Sequence, residues 1–144
     1  MTIIGREKAK FCTYRDVLMT RILIADDHKI MRRGVRSVLE SRRDVDVCEA
    51  ENGVEAVQKT KEMKPDLVIL DVSMPLLDGF SAARQIKEMS PLTPILILSL
   101  HRTEAFLEVA QKIGVSGYIS KSEDIPSLLK AVEAALHNQT YFPS

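Results

Sequence analysis

Short apolar runs alternate along the chain with segments in which apolar residues recur every three or four positions. The runs have the length of buried β-strands, and the periodic segments have the pattern of amphipathic helices. We predict strands at residues 21–25, 45–50, 67–71, 95–99 and 117–120. We predict helices at residues 29–40, 54–64, 81–89, 103–113 and 125–137.

This strict alternation with short connections predicts a parallel sheet with helices on both faces. Five strands fit an α/β, flavodoxin-like (βα)5 three-layer sandwich with the strand order 2-1-3-4-5, which binds ligands at the carboxyl ends of its strands. The domain is expected to span residues 20–138. Residues 1–19 are expected to form a flexible N-terminal extension, and residues 139–144 a tail or the start of a linker.

Composition narrows the function classes. The 144 residues are 45% hydrophobic, as expected of one domain with a full core, and 20 basic residues balance 20 acidic ones. That balance argues against a nucleic-acid surface spread over the domain. Cys12 and Cys48 have no metal or redox spacing. No apolar run approaches the length of a membrane span.

The first predicted helix combines apolar and basic positions. Its apolar stripe is expected to consist of Ile30, Val35, Val38 and Leu39. The basic residues in and after this helix are Arg32, Arg33, Arg36, Arg42 and Arg43. We expect them to form a solvated helix face rather than a nucleic-acid site.

Polar residues follow four of the predicted strands. Asp26 and Asp27 follow the first strand, Asp71 ends the third, Ser99 ends the fourth and Lys121 follows the fifth. Each alone has a simpler interpretation as a cap, a turn residue or a solvated side chain. In the predicted topology they share one rim, where two carboxylates ~4 Å apart repel by about 4 kcal/mol at an effective dielectric of 20. Mg²⁺, which prefers oxygen ligands, would relieve this repulsion.

Four motifs carry a family resemblance. The segments ILIADDHKIMRRGVRSVL, LVILDVSMPLLDGF, ILILS and GYISK occur in this order over residues 20–138. Together they resemble the receiver domain of two-component response regulators. ADDH and GYISKSED resemble the NarL/FixJ-type branch, whose members usually carry a DNA-binding helix-turn-helix domain after the receiver.

The resemblance implies a role for each residue at this rim. Asp71 would be the phosphoacceptor, and Ser99 and Lys121 would bind the phosphoryl group. The implied Mg²⁺ ligands are Asp26, Asp27, Asp71 and the backbone carbonyl of Ser73. Tyr118 matches the family's aromatic switch position, with Ser99 as its partner; an ordinary packed aromatic is the alternative.

The resemblance also implies partners. A sensor histidine kinase would supply the phosphoryl group in the cytoplasm. The face made by the fourth helix, fifth strand and fifth helix would change conformation on phosphorylation and form a homodimer. The domain would assist only its own phosphorylation and dephosphorylation, and would contact neither nucleic acid nor a membrane itself. QTYFPS resembles the linker before an output domain, which suggests the regulatory part of a transcription regulator.

Two departures and three alternatives accompany this interpretation. Ser122 stands where many receivers have a proline after a cis peptide bond, so the reach of Lys121 is in question. His101 either is a surface residue or influences the lifetime of the phosphoryl group. The alternatives are a stand-alone receiver, an aspartyl-nucleophile phosphatase and a flavin protein. The phosphatase would want a second aspartate where Ser73 stands, and the acidic pair after the first strand would repel a flavin phosphate.

Overall fold

A five-stranded parallel sheet forms the centre of the molecule. The computed structural model describes residues 19–41 and 44–143. Its strands are β1 (Thr20–Ala25), β2 (Val45–Ala50), β3 (Leu67–Asp71), β4 (Ile95–Ser99) and β5 (Gly117–Ser120). Its helices are α1 (Lys29–Glu40), α2 (Gly53–Met63), α3 (Gly79–Met89), α4 (Glu104–Ile113) and α5 (Ile125–Leu136). The sheet order is β2-β1-β3-β4-β5, which confirms the predicted fold.

Four of the five helices named above begin at a polar cap, and these caps account for the differences from the predicted helix starts. Asn52 accepts the backbone N–H of Glu55, and Asp78 accepts that of Ser81, so α2 and α3 begin earlier than predicted. Thr103 and Asp124 cap α4 and α5 in the same way. A side-chain oxygen at this position satisfies a backbone N–H that lacks a partner within the helix.

The core has two halves, one on each face of the sheet. Leu23, Leu70 and Ile97 pack with α2, α3 and α4 on one face. Ile24 and Ile69 pack with α1 and α5 on the other. Every residue of β3 is buried, as expected for a central strand covered by helices on both faces.

The segment after α5 returns to the sheet. Tyr141 donates its backbone N–H to the Ser116 carbonyl and accepts the Tyr118 N–H on its own carbonyl, both at 2.9 Å. This makes a parallel bridge beside Gly117. The aromatic ring of Phe142 packs against the α2–α4 side of the core. The outer edge of β5 is therefore partly covered by residues of the same chain.

Two expectations about α1 are wrong. Ile30, in the first turn, is 89% exposed, whereas Val35 and Leu39 of the predicted stripe are buried in the core. Arg32 is not on a solvated face, since its guanidinium group is buried against Glu49. The expectations for residues 1–18, which include Cys12, and for Arg42 and Arg43 fall outside the described residues. Among the described helices, none is long and apolar enough to cross a membrane.

Candidate functional site

Asp26 follows β1 and is held by its backbone and by its side chain. Its N–H donates to the Ala50 carbonyl, and its carboxylate accepts the His28 backbone N–H at 2.9 Å and the Lys121 ammonium at 2.8 Å. The side chain is almost fully buried. The N-cap of α1 is His28, which makes no side-chain cap, so Asp26 is not itself the helix cap.

Asp71 ends β3, and the loop that follows folds back over it. The Gly79 N–H donates to the Val72 carbonyl at 2.8 Å, and a Cβ on Gly79 would lie 2.1 Å from the Asp71 carbonyl oxygen. Gly79 does not have positive φ; the residue in this loop with positive φ is Leu76, and a glycine is required at position 79 for the close approach.

Lys121 reaches both buried carboxylates. Its Nζ lies 2.8 Å from Asp26 Oδ2 and 3.3 Å from Asp71 Oδ2, with the side chain only 2% exposed. Its backbone N–H donates to the Ser99 carbonyl at 2.7 Å, which ties β5 to the end of β4. Every peptide bond in the described part of the chain is trans, including the one before Ser122. The lysine reaches the carboxylates with this trans bond.

The acidic residues at this rim form a compact group. Asp26, Asp27, His28 and Asp71 each offer one ligand atom, and these atoms lie within 4.8 Å of one another. Sequence reasoning missed His28, although it stands directly after the acidic pair. Its Nδ1 lies 3.3 Å from Asp26 and 3.4 Å from Asp27.

The donor set fits a hard divalent cation. Three carboxylates supply the oxygen ligands that Mg²⁺ prefers. Among the residues that the structure describes, the buried Asp71 Oδ2 atom has no hydrogen-bond partner, although Lys121 lies beside it as an ion pair. Burial, followed by the negative charge of Asp26, raises the pKa of Asp71; Lys121 and the backbone N–H of Ser73 act in the opposite direction. A cation here would therefore meet a carboxylate that is poorly satisfied by the protein alone.

Comparison with known families decides the class of protein. The family described as the response regulator receiver domain matches residues 22–133, which is most of the chain.

The chain belongs to the response regulator receiver family. This is a family of signalling domains and not a classical enzyme family, so the phosphatase and flavin-protein alternatives are set aside. Response regulator receivers take a phosphoryl group from sensor kinases.

Relatives of this receiver occur in both long and short proteins. The oxygen regulatory protein NreC of Staphylococcus epidermidis is 41% identical over 123 residues, which are 84% of this chain and 56% of NreC. The transcriptional regulatory protein DegU of Brevibacillus brevis is 32% identical over 84% of this chain and 52% of its own length. The chain thus spans little more than half of these regulators. The chemotaxis protein CheY of Halobacterium salinarum is 39% identical over 81% of this chain and 96% of its own.

Solved structures agree with the NarL/FixJ-type assignment. The crystal structure of a LuxR-family two-component response regulator from an Aurantimonas species matches with a TM-score of 0.82 and 36% identity. The match covers 85% of this receiver and 89% of that chain. It supports both the fold and the branch that the motifs indicated.

Ser99 and Tyr118 lie beside the rim and share one neighbour in the receiver. The Ser99 hydroxyl accepts the His101 backbone N–H at 3.1 Å, and the Tyr118 hydroxyl donates to the His101 carbonyl. The Tyr118 ring is fully buried, and this burial raises the pKa of its hydroxyl. The structure thus joins the two predicted switch residues through His101. Their roles, and that of the Ser73 carbonyl as a metal ligand, stay predictions.

Proposed function

We propose that this receiver accepts a phosphoryl group on Asp71 from the phosphohistidine of a sensor kinase. The observation that carries the proposal is the grouping at the strand ends: ligand atoms of Asp26, Asp27 and Asp71 lie within 4.8 Å of one another, with the Lys121 ammonium between two of them. An acidic group with a buried lysine suits a phosphoryl group when a divalent cation is bound.

The transfer step follows from these positions. A carboxylate oxygen of Asp71 forms the new P–O bond while the P–N bond of the phosphohistidine breaks, and the electron pair leaves with the imidazole. Lys121 is placed to neutralise charge on the phosphoryl oxygens. Asp26, Asp27, Asp71 and the Ser73 carbonyl would hold Mg²⁺, which supplies further positive charge at those oxygens. The protein acts mainly by positioning and electrostatics, and assists only its own phosphorylation and dephosphorylation.

The buried ring of Tyr118 is the basis of the conformational switch that we propose. Ser99 accepts a hydrogen bond from the His101 backbone N–H, and its hydroxyl also has a hydrogen that could be donated to a phosphoryl oxygen. A shift of Ser99 towards that oxygen would pull on His101, to which Tyr118 is also bonded. The change would then pass along the chain from His101 to α4. Ala110 is the one fully buried residue of this helix. A switch of this kind needs two states that differ by only a few kcal/mol.

The output we propose is regulation of transcription in the cytoplasm. Support comes from relatives such as DegU and NreC, of which this chain covers about half. The α4-β5-α5 face would form the homodimer, and the receiver itself would touch neither DNA nor a membrane. A stand-alone receiver is the second candidate, because the Halobacterium CheY matches over 96% of its length.

Acetyl phosphate labelling tests the phosphoacceptor assignment. With Mg²⁺ and acetyl phosphate, the wild type should gain one hydroxylamine-labile phosphoryl group, and Asp71→Asn should gain none. Asp78→Asn is the matched control, because Asp78 lies in the same loop and serves as a helix cap, a role that asparagine fills equally well. Equal labelling of Asp71→Asn and the wild type would reject the assignment.

A further inference from the structure

Arg32 connects the acidic rim to the neighbouring edge strand. Its Nη1 donates to the Asp26 carbonyl oxygen at 2.6 Å, and its Nε donates to Glu49 Oε1 at 2.5 Å. Glu49 lies on β2, opposite Ile24 of β1. We propose that Arg32, held by Glu49, is a positioning residue that sets the geometry of Asp26 and Asp27 for the divalent cation.

The carbonyl that Arg32 binds is well placed for this role. It belongs to the peptide unit that joins Asp26 to Asp27, and this unit is planar. The hydrogen bond to its oxygen therefore constrains the position of the Asp27 backbone nitrogen. The Asp26 side chain is fixed separately, by the His28 N–H and by Lys121. Arg32 thus acts on the acidic pair through the main chain.

Glu49 makes it feasible to bury the Arg32 charge. A buried guanidinium is costly unless it is paired, and an unpaired positive charge near the rim would also repel a cation. Glu49 accepts from Arg32 through Oε1 and from Arg36 through Oε2, and its carbonyl accepts the Lys59 ammonium at 2.5 Å. Burial raises the pKa of Glu49, but the hydrogen bonds from the two arginines outweigh it and hold the pKa below its ordinary value. The carboxylate is therefore charged and held from several sides.

Arg36 provides an internal control. It binds the same Glu49 at 2.7 Å and Glu40 at 2.9 Å, and its side chain is 39% exposed. Both arginines join α1 to β2, but it is Arg32 whose Nη1 reaches the Asp26 carbonyl. A purely structural role in joining helix and strand would be shared by both arginines. A role in positioning the acidic pair would distinguish them.

Mg²⁺ affinity of the full chain tests the inference. Mg²⁺ would be titrated into metal-free wild type, Arg32→Lys, Arg32→Met and Arg36→Lys, with backbone amide shifts in NMR spectra as the signal. Outer partners of metal ligands typically change metal affinity by about 10–100-fold. We expect both Arg32 variants to bind Mg²⁺ about tenfold more weakly, and Arg36→Lys to stay within about twofold of wild type. If Arg32→Met fails to fold, Arg32→Lys decides.

The inference rests on the proposed function only through the cation site. Wild-type affinity in both Arg32 variants, or an equal loss in Arg32→Lys and Arg36→Lys, would overturn it, and so would a wild type that binds no Mg²⁺. Acetyl phosphate labelling of the same samples separates the two proposals. A wild type that binds Mg²⁺ but takes no phosphoryl group would contradict the proposed function, while the affinities would still decide the role of Arg32.

Discussion

Replacing Asp71 with asparagine should stabilise the metal-free protein near neutral pH. Asp71 is 5% exposed, and its Oδ2 atom has no hydrogen-bond partner within residues 19–41 and 44–143. Asparagine has nearly the same shape, carries no charge and offers an N–H₂ group that can donate hydrogen bonds. The substitution thus removes a buried charge while it preserves the packing at the end of β3.

The size of the stabilisation by Asp71→Asn follows from electrostatic contributions that nearly cancel. At an effective dielectric of 20, repulsion between Asp71 and Asp26, whose ligand atoms lie within 4.8 Å of each other, costs at least about 3.5 kcal/mol, and attraction to Lys121 across 3.3 Å gives back about 5 kcal/mol. Asp27 adds repulsion of at most about 1 kcal/mol, because its side chain is one-third exposed and solvent screens it. The cost of leaving the buried Oδ2 unsatisfied, about 1–3 kcal/mol, then decides the sign. We expect stabilisation of about 0.5–2.5 kcal/mol.

The stability difference between Asp71→Asn and the wild type should decrease as the pH falls. Burial raises the pKa of Asp71 above its ordinary value of 3.8, so the folded protein holds this proton more tightly than the unfolded chain does. Its ionisation therefore destabilises the fold. The destabilisation is absent below pH 3.8, grows as the pH rises above this value, and is complete once the pH exceeds the raised pKa. The advantage of Asp71→Asn over wild type should shrink as the pH falls towards 3.8.

Urea unfolding followed by far-ultraviolet circular dichroism measures this difference. Wild type, Asp71→Asn and Asp124→Asn would be unfolded in EDTA at neutral pH and in mildly acidic buffer. Asp124 is an exposed helix cap that asparagine replaces well, so this control should match the wild type. Added Mg²⁺ should stabilise the wild type more than Asp71→Asn. An Asp71→Asn protein no more stable than wild type at neutral pH would refute the electrostatic description of the site.

Three further substitutions test backbone features. Leu76 is exposed with φ of 69°, a conformation that asparagine tolerates better, so Leu76→Asn should raise the free energy of unfolding in urea by about 1 kcal/mol; a loss of stability would contradict this. Gly79→Ala would place a Cβ 2.1 Å from the Asp71 carbonyl oxygen, and it should lower the free energy of unfolding by about 2 kcal/mol or more. Wild-type stability in that variant would mean that the loop after β3 has another course. Gly117→Ala would place a Cβ 2.5 Å from the Tyr141 carbonyl oxygen, so hydrogen exchange at the Tyr118 amide, which donates to that oxygen, should accelerate; unchanged exchange would count against the bridge.

The sheet and its rim could be predicted because their signals are local and repeated. Each strand is a short apolar run, and the rule that parallel strands end at one edge brings Asp26, Asp71 and Lys121 together without any contact information. The helix bounds were less certain, since a cap such as Asp78 moves a helix start by one or two residues. The chemistry at the rim was thus accessible from the sequence, although the pairing of Lys121 with two carboxylates was not.

The missed features depend on contacts between distant residues. Arg32 looks like a surface residue in the helical pattern, and only its pairing with Glu49 on β2 explains its burial. Ile30 fits the apolar period of α1 but is 89% exposed in the first turn of that helix. Tyr141 lies in a short polar segment whose sequence gives no sign that it bonds to β5. For Arg32 and Tyr141, the deciding partner belongs to another element of the fold.

The central claim is that the grouped side chains at the strand ends make Asp71 a Mg²⁺-dependent phosphoryl acceptor. Mass spectrometry of the intact protein after acetyl phosphate treatment tests it most directly, with peptide mapping of the modified residue. We expect one added phosphoryl group at Asp71 in Mg²⁺, and none in EDTA or in Asp71→Asn. A phosphoryl group on another residue, or labelling that is equal with and without Mg²⁺, would contradict the claim.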